Sequence, residues 1–462
     1  MYFEQFYLGC LAHASYMLAS DGEAVVVDPQ RDVDIYLQAA EANGVSIRHI
    51  FETHLHADFV SGHRELAART GARIYIGAQA QATFPHIALH DGFELRVGKM
   101  RVAALETPGH TAESVCLVIT DEEKSAEPWA VLTGDTLFLG DVGRPDLSKS
   151  YSARQLAGML YDSLHHEILK LADSVLVYPA HGAGSLCGRN MRAERVSTIG
   201  TERLTNYALQ IKSRDEFVSQ LTSHLPARPE YFLQDAEINR TGALALADLS
   251  RLRPLEPAEL QIFLQEGGLV LDVRPGEQFA AGHVPGSVNI ALSGQFASWA
   301  GALLGLAAEP VLIAESEEEL SEARMRLARV GLENARGFLK GGVGAWREEG
   351  FPMETQPEIH VETLHERLNS GIQILDVRRE PEWEAGHIEG AVWWPLDNFK
   401  VAPPEIDRSA PLAVHCKGGY RSMIACSLLR RAGFENVINV TGGFDAWQQA
   451  KLPVVVEKPA IV

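Results

Sequence analysis

The chain has 462 residues, of which 46% are hydrophobic and 22% charged, and this globular composition excludes a disordered, collagen-like or coiled-coil protein. At roughly 150 residues per domain, the length suggests about three domains. The net charge of −20 argues against nucleic acid and anionic membrane surfaces as partners, because both repel an acidic protein.

Three features of the sequence bear on its cellular compartment. No apolar run reaches the ~18 residues that a membrane span needs, and the first ten residues lack the basic and apolar pattern of a signal peptide. The five cysteines are sparse and odd in number, which is typical of reduced thiols. We therefore expect a cytoplasmic protein.

The first 250 residues alternate short apolar runs with helical stretches, which predicts an α/β domain. After residue 181 the chain becomes mostly helical and polar. Connectors that contain proline, at 251–257 and 351–357, predict boundaries between three domains at 1–250, 256–355 and 358–462. The predicted strands are 25–27, 47–51, 74–76, 115–119, 131–132 and 175–177, and the predicted helices include 33–43 and 62–70.

Four polar segments lie at the ends of these predicted strands, where loops commonly carry function. They read THLHAD, PGHT, GDT and PAHG. Their imidazole and carboxylate groups suit Zn, Fe or Ni. The side chains concerned are His54, His56, Asp58, His110, Asp135 and His181.

In this order, the four segments resemble the metallo-β-lactamase fold over about residues 1–250. The resemblance implies an αββα sandwich with a metal at one edge. The sequence departs from the usual H-x-H-x-D-H motif, because Phe59 occupies the last histidine position and cannot bind a second metal. One metal is therefore expected, although His63 lies close enough in sequence to be an alternative ligand.

Within this fold, the chain resembles the persulfide dioxygenases, which bind one Fe(II) through two histidines and one aspartate. The resemblance implies that the iron ligands are His54, His110 and Asp135, with Zn as the alternative metal. The remaining groups would hold water or orient the ligands, and they are His56, Asp58 and His181.

Two further residues are candidates for substrate binding. Arg144, in the run GDVGRPD, is expected to orient a loop or hold a substrate carboxylate, or else to form a surface ion pair. Cys187 follows His181 in HGAGSLCGRN, a continuation that resembles persulfide dioxygenases fused to rhodanese domains. Its thiol either carries sulfur or is a small buried side chain. Cys10 and Cys116 lie in apolar contexts that predict core positions in strands.

A repeat occupies the last 200 residues. The segment 271–290, LDVRPGEQFAAGHVPGSVNI, returns at 375–394 as LDVRREPEWEAGHIEGAVWW, which indicates a tandem duplication. Each copy alternates apolar strands with helices, and this predicts a parallel sheet covered on both faces. The predicted strands are 269–273 and 311–314 in the first copy and 372–377 and 412–415 in the second.

In the second copy, Cys416 ends a buried strand and precedes a glycine loop and a helix predicted over 423–431. Backbone N–H groups, the helix N-terminus and nearby cations all favour a thiolate at this point. We predict that Cys416 and Arg421 are catalytic. The other residues of the active-site loop are Lys417, Gly418, Gly419, Tyr420 and Ser422.

With the LDVR, GHIEGA and GGFDAW segments, this loop resembles a rhodanese domain over about residues 358–458. The spacing Cys-x4-Arg is one residue shorter than the Cys-x5-Arg loop of a phosphatase, so the loop suits a sulfur atom better than a phosphate. In the first copy, Glu315 stands where Cys416 stands in the second. That domain is therefore expected to lack sulfur transfer and to act as a spacer or docking surface.

The two resemblances together predict oxidation of a low-molecular-weight persulfide by O₂ at Fe(II), with sulfane-sulfur transfer at Cys416 that forms or uses thiosulfate. The expected partners are small-molecule persulfide, thiosulfate or sulfite, and a homo-oligomer is an expected state for such a chain. One alternative is a zinc thioester hydrolase of the glyoxalase II type with an appended sulfurtransferase. Another is a sulfur carrier or sensor whose metal is structural.

Overall fold

The computed structural model of the chain describes residues 1–223, 225, 228–401, 403 and 406–456. They form two compact units, the first made of residues 1–249 with 328–331 and the second of the remainder. Across the described ranges, every helix is too short or too polar to cross a lipid bilayer.

A six-stranded sheet opens the first unit, and its strands lie side by side in chain order. The first three strands pair antiparallel, and the next three join them in parallel. The strands are β1 (Tyr2–Leu8), β2 (His13–Ser20), β3 (Glu23–Val27), β4 (Ser46–Glu52), β5 (Arg73–Gly77) and β6 (Ile87–Leu89).

A second six-stranded sheet follows, with its strands in the reverse of chain order. Its pairs are antiparallel except for one parallel pair, between the strands that begin at Ala130 and Leu176. The strands are β7 (Glu94–Val97), β8 (Met100–Glu106), β9 (Val115–Asp121), β10 (Ala130–Gly134), β11 (Leu176–Pro179) and β12 (Ser197–Thr198).

Alternation along β2 explains how the two sheets become an inner double layer. Tyr16 and Leu18 point into the core between the sheets, whereas Met17 packs with the helices on the outer face. Helices cover the second sheet in the same way, so the predicted αββα sandwich is confirmed. The helices are α1 (Asp34–Ala42), α2 (His63–Thr70), α3 (Ala153–His166), α4 (Ile199–Thr205), α5 (Tyr207–Gln210), α6 (Arg214–Ser223) and α7 (Tyr231–Thr241).

Two five-stranded sheets, parallel throughout, organise the second unit. Their strand orders are equivalent, as the sequence repeat predicts. The first sheet has the order β13-β17-β16-β14-β15, and the second β18-β22-β21-β19-β20. The strands are β13 (Arg253–Leu255), β14 (Val270–Asp272), β15 (Val288–Asn289), β16 (Val311–Ile313), β17 (Gly337–Leu339), β18 (Glu358–Ile359), β19 (Gln373–Asp376), β20 (Val392–Trp393), β21 (Leu412–His415) and β22 (Val437–Val440).

One apolar core joins the two halves of this second unit, since Leu312 of the first half and Val414 of the second belong to the same buried cluster. The helices are α8 (Pro257–Gln265), α9 (Gly276–Ala281), α10 (Phe296–Leu304), α11 (Glu317–Ala328), α12 (Gly342–Glu348), α13 (Val361–Glu366), α14 (Glu380–Glu384), α15 (Tyr420–Arg431) and α16 (Gly443–Gln449). Short 3-10 turns lie at Ala78–Ala80, Ile168–Lys170, Leu246–Asp248 and Leu396–Asn398.

Two local predictions need correction. Cys10 lies in the turn between β1 and β2 and is partly exposed, so its predicted place in a core strand is wrong. The helix expected from residue 423 begins at Tyr420, immediately after the glycine loop. Cys116 lies in β9 and is buried, as predicted. The domain boundaries at residues 250, 256, 355 and 358 stay a prediction.

Candidate metal centre and reactive cysteine

Three buried side chains from three different strand ends converge in the first unit. His54 follows β4, His110 lies between β8 and β9, and Asp135 follows β10. Oδ2 of Asp135 lies 3.8 Å from Nε2 of His54 and 3.3 Å from Nε2 of His110. The structure thus brings the three predicted ligands together, in a group of donor atoms that could hold one metal ion.

Hydrogen bonds prepare both imidazoles to bind a cation. Nδ1 of His110 donates to the carbonyl oxygen of Arg144 at 2.9 Å, which leaves the Nε2 lone pair facing Asp135. Nδ1 of His54 donates to Oγ1 of Thr53 at 3.0 Å, and that hydroxyl donates to Asp28 at 2.8 Å. Among the described residues, neither Nε2 atom nor Asp135 Oδ2 has a hydrogen-bond partner. Orphaned buried donor atoms of this kind fit a metal ion.

Burial and neighbouring charges give these candidate ligands protonation states that suit a metal ion. Burial lowers the pKa of His54 and of His110, which keeps both imidazoles neutral. Burial alone would raise the pKa of Asp135, but His181, His110 and His54 bring it well below its ordinary value. The site therefore presents two neutral nitrogens and one carboxylate.

His181 connects the predicted ligand Asp135 to Asp58. Its Nδ1 lies 2.8 Å from Asp135 Oδ1, and its Nε2 lies 2.9 Å from Asp58 Oδ2. Although burial favours neutral His181, the two carboxylates raise its pKa well above the ordinary value. His181 thus holds the Asp135 oxygen that faces away from His54 and His110.

His56 takes part in a different buried cluster. Its Nε2 lies 3.2 Å from Asp28 and 3.8 Å from Glu52, so it faces carboxylates behind the three-residue site. The Phe59 ring packs against the His56 ring with 4.4 Å between centroids. His63 begins α2 and faces Glu52 at 3.6 Å, so it does not replace the histidine that Phe59 displaces.

Arg144 is buried, and its side chain faces its own loop. The guanidinium donates to both oxygens of Asp146 and to the carbonyl oxygen of Leu186. The backbone of Arg144 contacts His110 through its carbonyl oxygen and the Cys187 carbonyl through its N–H. Arg144 therefore supports the site through its main chain, a role that the sequence did not indicate.

Cys187 is buried close to the site. Its sulfur lies within 4.8 Å of donor atoms of Asp58 and His181. Burial, with Asp58 and Asp135 nearby, raises the pKa of this thiol well above its ordinary value. The Cys187 thiol is therefore protonated at neutral pH.

Four further residues take part in this site, and the sequence motifs did not single them out. Asp28 binds the N–H and the hydroxyl of Thr53, and Glu113 accepts from the N–H of the residue after His54. Glu52 lies in the cluster with His56, and the buried His13 ring packs on Phe59 at 4.1 Å. Asp28 and Glu52 stand at strand ends, so their position in the sequence was an available signal.

In the second unit, Cys416 is buried directly after β21. The N–H of Gly419 donates to its sulfur at 3.1 Å, and Ser422 Oγ lies 3.6 Å from it. Gly443 packs closely against the backbone of the loop, and a side chain has no room there, because a Cβ atom would lie 2.5 Å from the Cys416 carbonyl oxygen. Helix α15 starts at Tyr420, so its N-terminus adds positive potential beside the sulfur.

The other loop residues occupy distinct environments. Lys417 and Gly418 are exposed, whereas Arg421 forms a two-pronged ion pair with Glu382 at 2.6 and 2.7 Å. The hydroxyl of Tyr420 donates to the carbonyl oxygen of Ala291 at 2.9 Å, which links the loop to the half that lacks the cysteine.

That other half has a different loop at the equivalent strand end. Glu315 follows β16, and its carboxylate lies 3.3 Å from Arg274. Its N–H donates to Glu319 at 2.8 Å. Because Glu315 has a carboxylate in place of a thiol, this loop has no sulfur nucleophile.

Comparison with known proteins agrees with this architecture. The Metallo-beta-lactamase superfamily model matches residues 8–181, and the Rhodanese-like domain model matches residues 256–349 and 360–450. A crystal structure titled Metallo-beta-lactamase from Staphylococcus aureus subsp. aureus COL has 32% sequence identity and a TM-score of 0.66, and the match covers 73% of this chain and 98% of that one.

Two curated relatives match the first unit. Persulfide dioxygenase ETHE1 of Bos taurus is 32% identical over 204 residues, which cover 42% of this chain and 70% of the relative. Hydroxyacylglutathione hydrolase of Francisella tularensis subsp. novicida is 31% identical over 172 residues, 37% of this chain and 63% of the relative. The chain belongs to the metallo-beta-lactamase superfamily. In it, a metallo-beta-lactamase domain is followed by two rhodanese-like domains.

Proposed function

We propose that this chain oxidises low-molecular-weight persulfides, of the glutathione persulfide type, with O₂ at one Fe(II) and transfers sulfane sulfur at Cys416. The observation that carries the proposal is the buried convergence of His54, His110 and Asp135, with its unpaired donor atoms. The likeness to persulfide dioxygenase ETHE1 over 70% of that relative supports the same assignment.

Two histidines and one carboxylate form a donor set suited to Fe(II), because they leave open positions for substrate and O₂. Phe59 supports a single metal, since its ring cannot bind a cation as a histidine would. When bound, iron supplies the redox chemistry that joins both atoms of O₂ to the outer sulfur of the persulfide. Persulfide, O₂ and water thereby become a thiol and sulfite.

The protein groups around this centre hold the ligands in place. The carbonyl of Arg144 and the hydroxyl of Thr53 fix the two imidazoles, and His181 fixes Asp135 from the side of Asp58. We further assign Cys187 to the substrate side, where its thiol can receive or pass on a sulfur atom beside Asp58 and His181.

At the second site, the thiolate of Cys416 attacks a sulfane sulfur and forms a cysteine persulfide, which it passes to a nucleophile. With sulfite as acceptor the product is thiosulfate, and in reverse thiosulfate loads the cysteine. The Gly419 N–H and the N-terminus of α15 support the anionic sulfur in both directions. Because both sites are in one chain, they share a raised local concentration of their common intermediate.

A zinc thioester hydrolase is the second candidate, and the hydroxyacylglutathione hydrolase relative favours it at 31% identity. Such chemistry uses a metal-activated water and, in this fold, two metals. Phe59 argues against the second metal. Two zinc ions per chain together with thioester hydrolysis would favour this alternative.

The test is oxygen uptake by anaerobically purified, Fe(II)-loaded full-length protein after addition of glutathione persulfide. We expect uptake with matching formation of sulfite or thiosulfate. A Cys416→Ser variant, as the matched control, is expected to retain uptake and to lose sulfur transfer. Absence of uptake at full iron occupancy, with hydrolysis of a glutathione thioester by the zinc form, would overturn the dioxygenase proposal.

A further inference from the structure

The arginine in the Cys416 loop is already occupied by a carboxylate. Arg421 lies in the first turn of α15, and both of its terminal nitrogens contact Glu382, an α14 residue, at 2.6 and 2.7 Å. Burial opposes the charge on Arg421, but Glu382 and the Cys416 sulfur raise the pKa of the guanidinium. The pair carries no net charge, and its arginine is five residues from Cys416 in the chain, at the start of the helix that follows the loop.

Two other arginines near this loop are also paired. Arg378 is buried and binds Asp376 through two nitrogens. Arg379 lies 3.3 Å from Asp397 and stacks over the Trp299 ring. Each of these two arginines is paired with a carboxylate. The other cation of the loop, Lys417, is exposed to solvent.

Sulfur donors for Cys416 differ in charge. Thiosulfate is a dianion, and attack by the thiolate on its outer sulfur breaks the S–S bond and expels sulfite with the bonding electron pair. A persulfide reacts at the same type of bond and expels a thiolate, which carries one charge at the reacting end. Expulsion of sulfite therefore needs more positive potential beside the sulfur than expulsion of a thiolate.

We propose that Glu382 determines donor specificity: by neutralising Arg421, it makes Cys416 favour organic persulfides over thiosulfate. The inference rests on the proposed sulfur transfer at Cys416 and defines the substrate class of that site. Among the described residues, the carboxylate of Glu382 accepts hydrogen bonds from Arg421 and from the N–H of Arg379 at the start of its own helix, and it has no hydrogen bond with Cys416. It acts through the charge of Arg421.

The test compares two donors on one full-length protein. Second-order rate constants for loading of Cys416 are measured with glutathione persulfide and with thiosulfate, and the loaded sulfur is released by cyanide. In Glu382→Gln, Arg421 keeps its position in the loop but loses the compensating charge. The thiosulfate constant is expected to rise by about tenfold, the effect of one unmasked charge at a partly buried site, while the persulfide constant changes by less than about threefold.

Two variants separate this effect from others. Glu380→Gln removes one charge from the same helix at an exposed position, and it is expected to leave the ratio of the two constants unchanged. Glu382→Asp keeps the charge with a shorter side chain, and it is expected to retain the preference of the parent. If Glu382→Gln fails to fold, Glu382→Asp still tests the proposal, because a raised thiosulfate preference in that variant contradicts it.

An unchanged ratio in folded Glu382→Gln, or an equal fall of both constants, would overturn the assignment of Glu382. If neither donor loads Cys416 in the parent protein, sulfur transfer itself is refuted. That result differs from a failure of the specificity inference, in which both donors react and the ratio does not respond to Glu382.

Discussion

The carbonyl oxygen of Arg144 accepts a hydrogen bond of 2.9 Å from Nδ1 of His110. The guanidinium of Arg144 binds Asp146, and the backbone N–H of Arg144 donates to the carbonyl of Cys187 at 3.0 Å. Arg144 thus fixes the tautomer of His110, a candidate metal ligand, and binds the loop that contains Cys187, a candidate sulfur carrier. The orientation of His110 is consequently set before any metal binds.

His110→Ala is expected to weaken metal binding by at least about 100-fold, because it removes one of three donors from a small site. Oxygen uptake should disappear with the metal. Sulfur transfer at Cys416 should persist, since the two sites belong to separate units. Metal analysis after dialysis and a cyanolysis assay measure the two effects, and full metal content in this variant would refute His110 as a ligand.

Thr53→Val tests how His54 is held. Oγ1 of Thr53 accepts from Nδ1 of His54 and donates to Asp28, and valine has the same shape without the hydroxyl. Loss of such a supporting bond is expected to lower metal affinity by about 10- to 100-fold. Competition with a chelator measures the affinity. Thr53→Ser keeps the hydroxyl and should retain most of it; equal affinities for the two variants would contradict this role.

The sequence indicated the candidate metal cluster because its members follow predicted strands or lie in the loop between two of them. In the second sheet, the parallel strands β10 and β11 end at the same edge, and the loop between the antiparallel strands β8 and β9 lies at that edge too. The same reasoning would have found Asp28, which follows β3 directly. The part that His13 takes in the site could not be predicted. Strand β1 (Tyr2–Leu8) shows no burial alternation, so neither the β1–β2 hairpin nor the place of His13 beside Phe59 could be predicted.

The composition of the Cys416 loop likewise indicated a site for an anionic sulfur, but it did not indicate the charge balance. Glu382 lies 39 residues from Arg421 in sequence, and only the packing of α14 brings them together. The link between Tyr420 and Ala291 spans 129 residues and depends on the association of the two halves of the unit. Contacts at such separations leave no periodic pattern in the sequence.

Gly443→Ala is expected to disrupt the Cys416 loop. Gly443 has φ +57°, and a Cβ atom would lie 2.5 Å from the carbonyl oxygen of Cys416, so the loop must move. Sulfur transfer is expected to fall by at least about tenfold. Gly433→Ala is the matched control, because Gly433 has φ +89° and open space around its Cα. It should lose about 1–2 kcal/mol of stability and retain transfer; equal activity of the two variants would contradict the prediction.

Burial of Cys116 predicts a stability change at high pH. It raises the pKa of this thiol from 9.0 to about 11. Above pH 9 the unfolded chain releases the proton that the folded chain retains, so the stabilising contribution present at lower pH is lost as pH rises toward 11.

Urea unfolding of the parent and of Cys116→Ala from pH 7 upward measures this contribution. The stability difference between the two proteins should be constant at neutral pH. In the alkaline window it should shift against the parent by up to about 1.4 kcal/mol per pH unit. Parallel stability curves throughout would show that the thiol titrates alike in both states.

Tyr420→Phe tests whether the half without a cysteine supports the reactive loop. The substitution removes the hydroxyl that donates to the Ala291 carbonyl, while the partly buried ring remains. Loss of a donor to a buried carbonyl costs about 1–2 kcal/mol of unfolding free energy. Because Tyr420 is the first residue of α15, sulfur transfer is expected to fall severalfold as the start of the helix loosens.

The control is Tyr161→Phe in the first unit, where the phenol donates to the Lys212 carbonyl at 2.6 Å. It removes the same type of hydrogen bond at a site remote in sequence from the cysteine, so sulfur transfer should stay at the parental rate. If Tyr420→Phe destabilises the protein but leaves the loading rate of Cys416 unchanged, the contact with Ala291 is structural alone. A fall in loading rate confined to Tyr420→Phe assigns the half without a cysteine a part in holding the reactive loop.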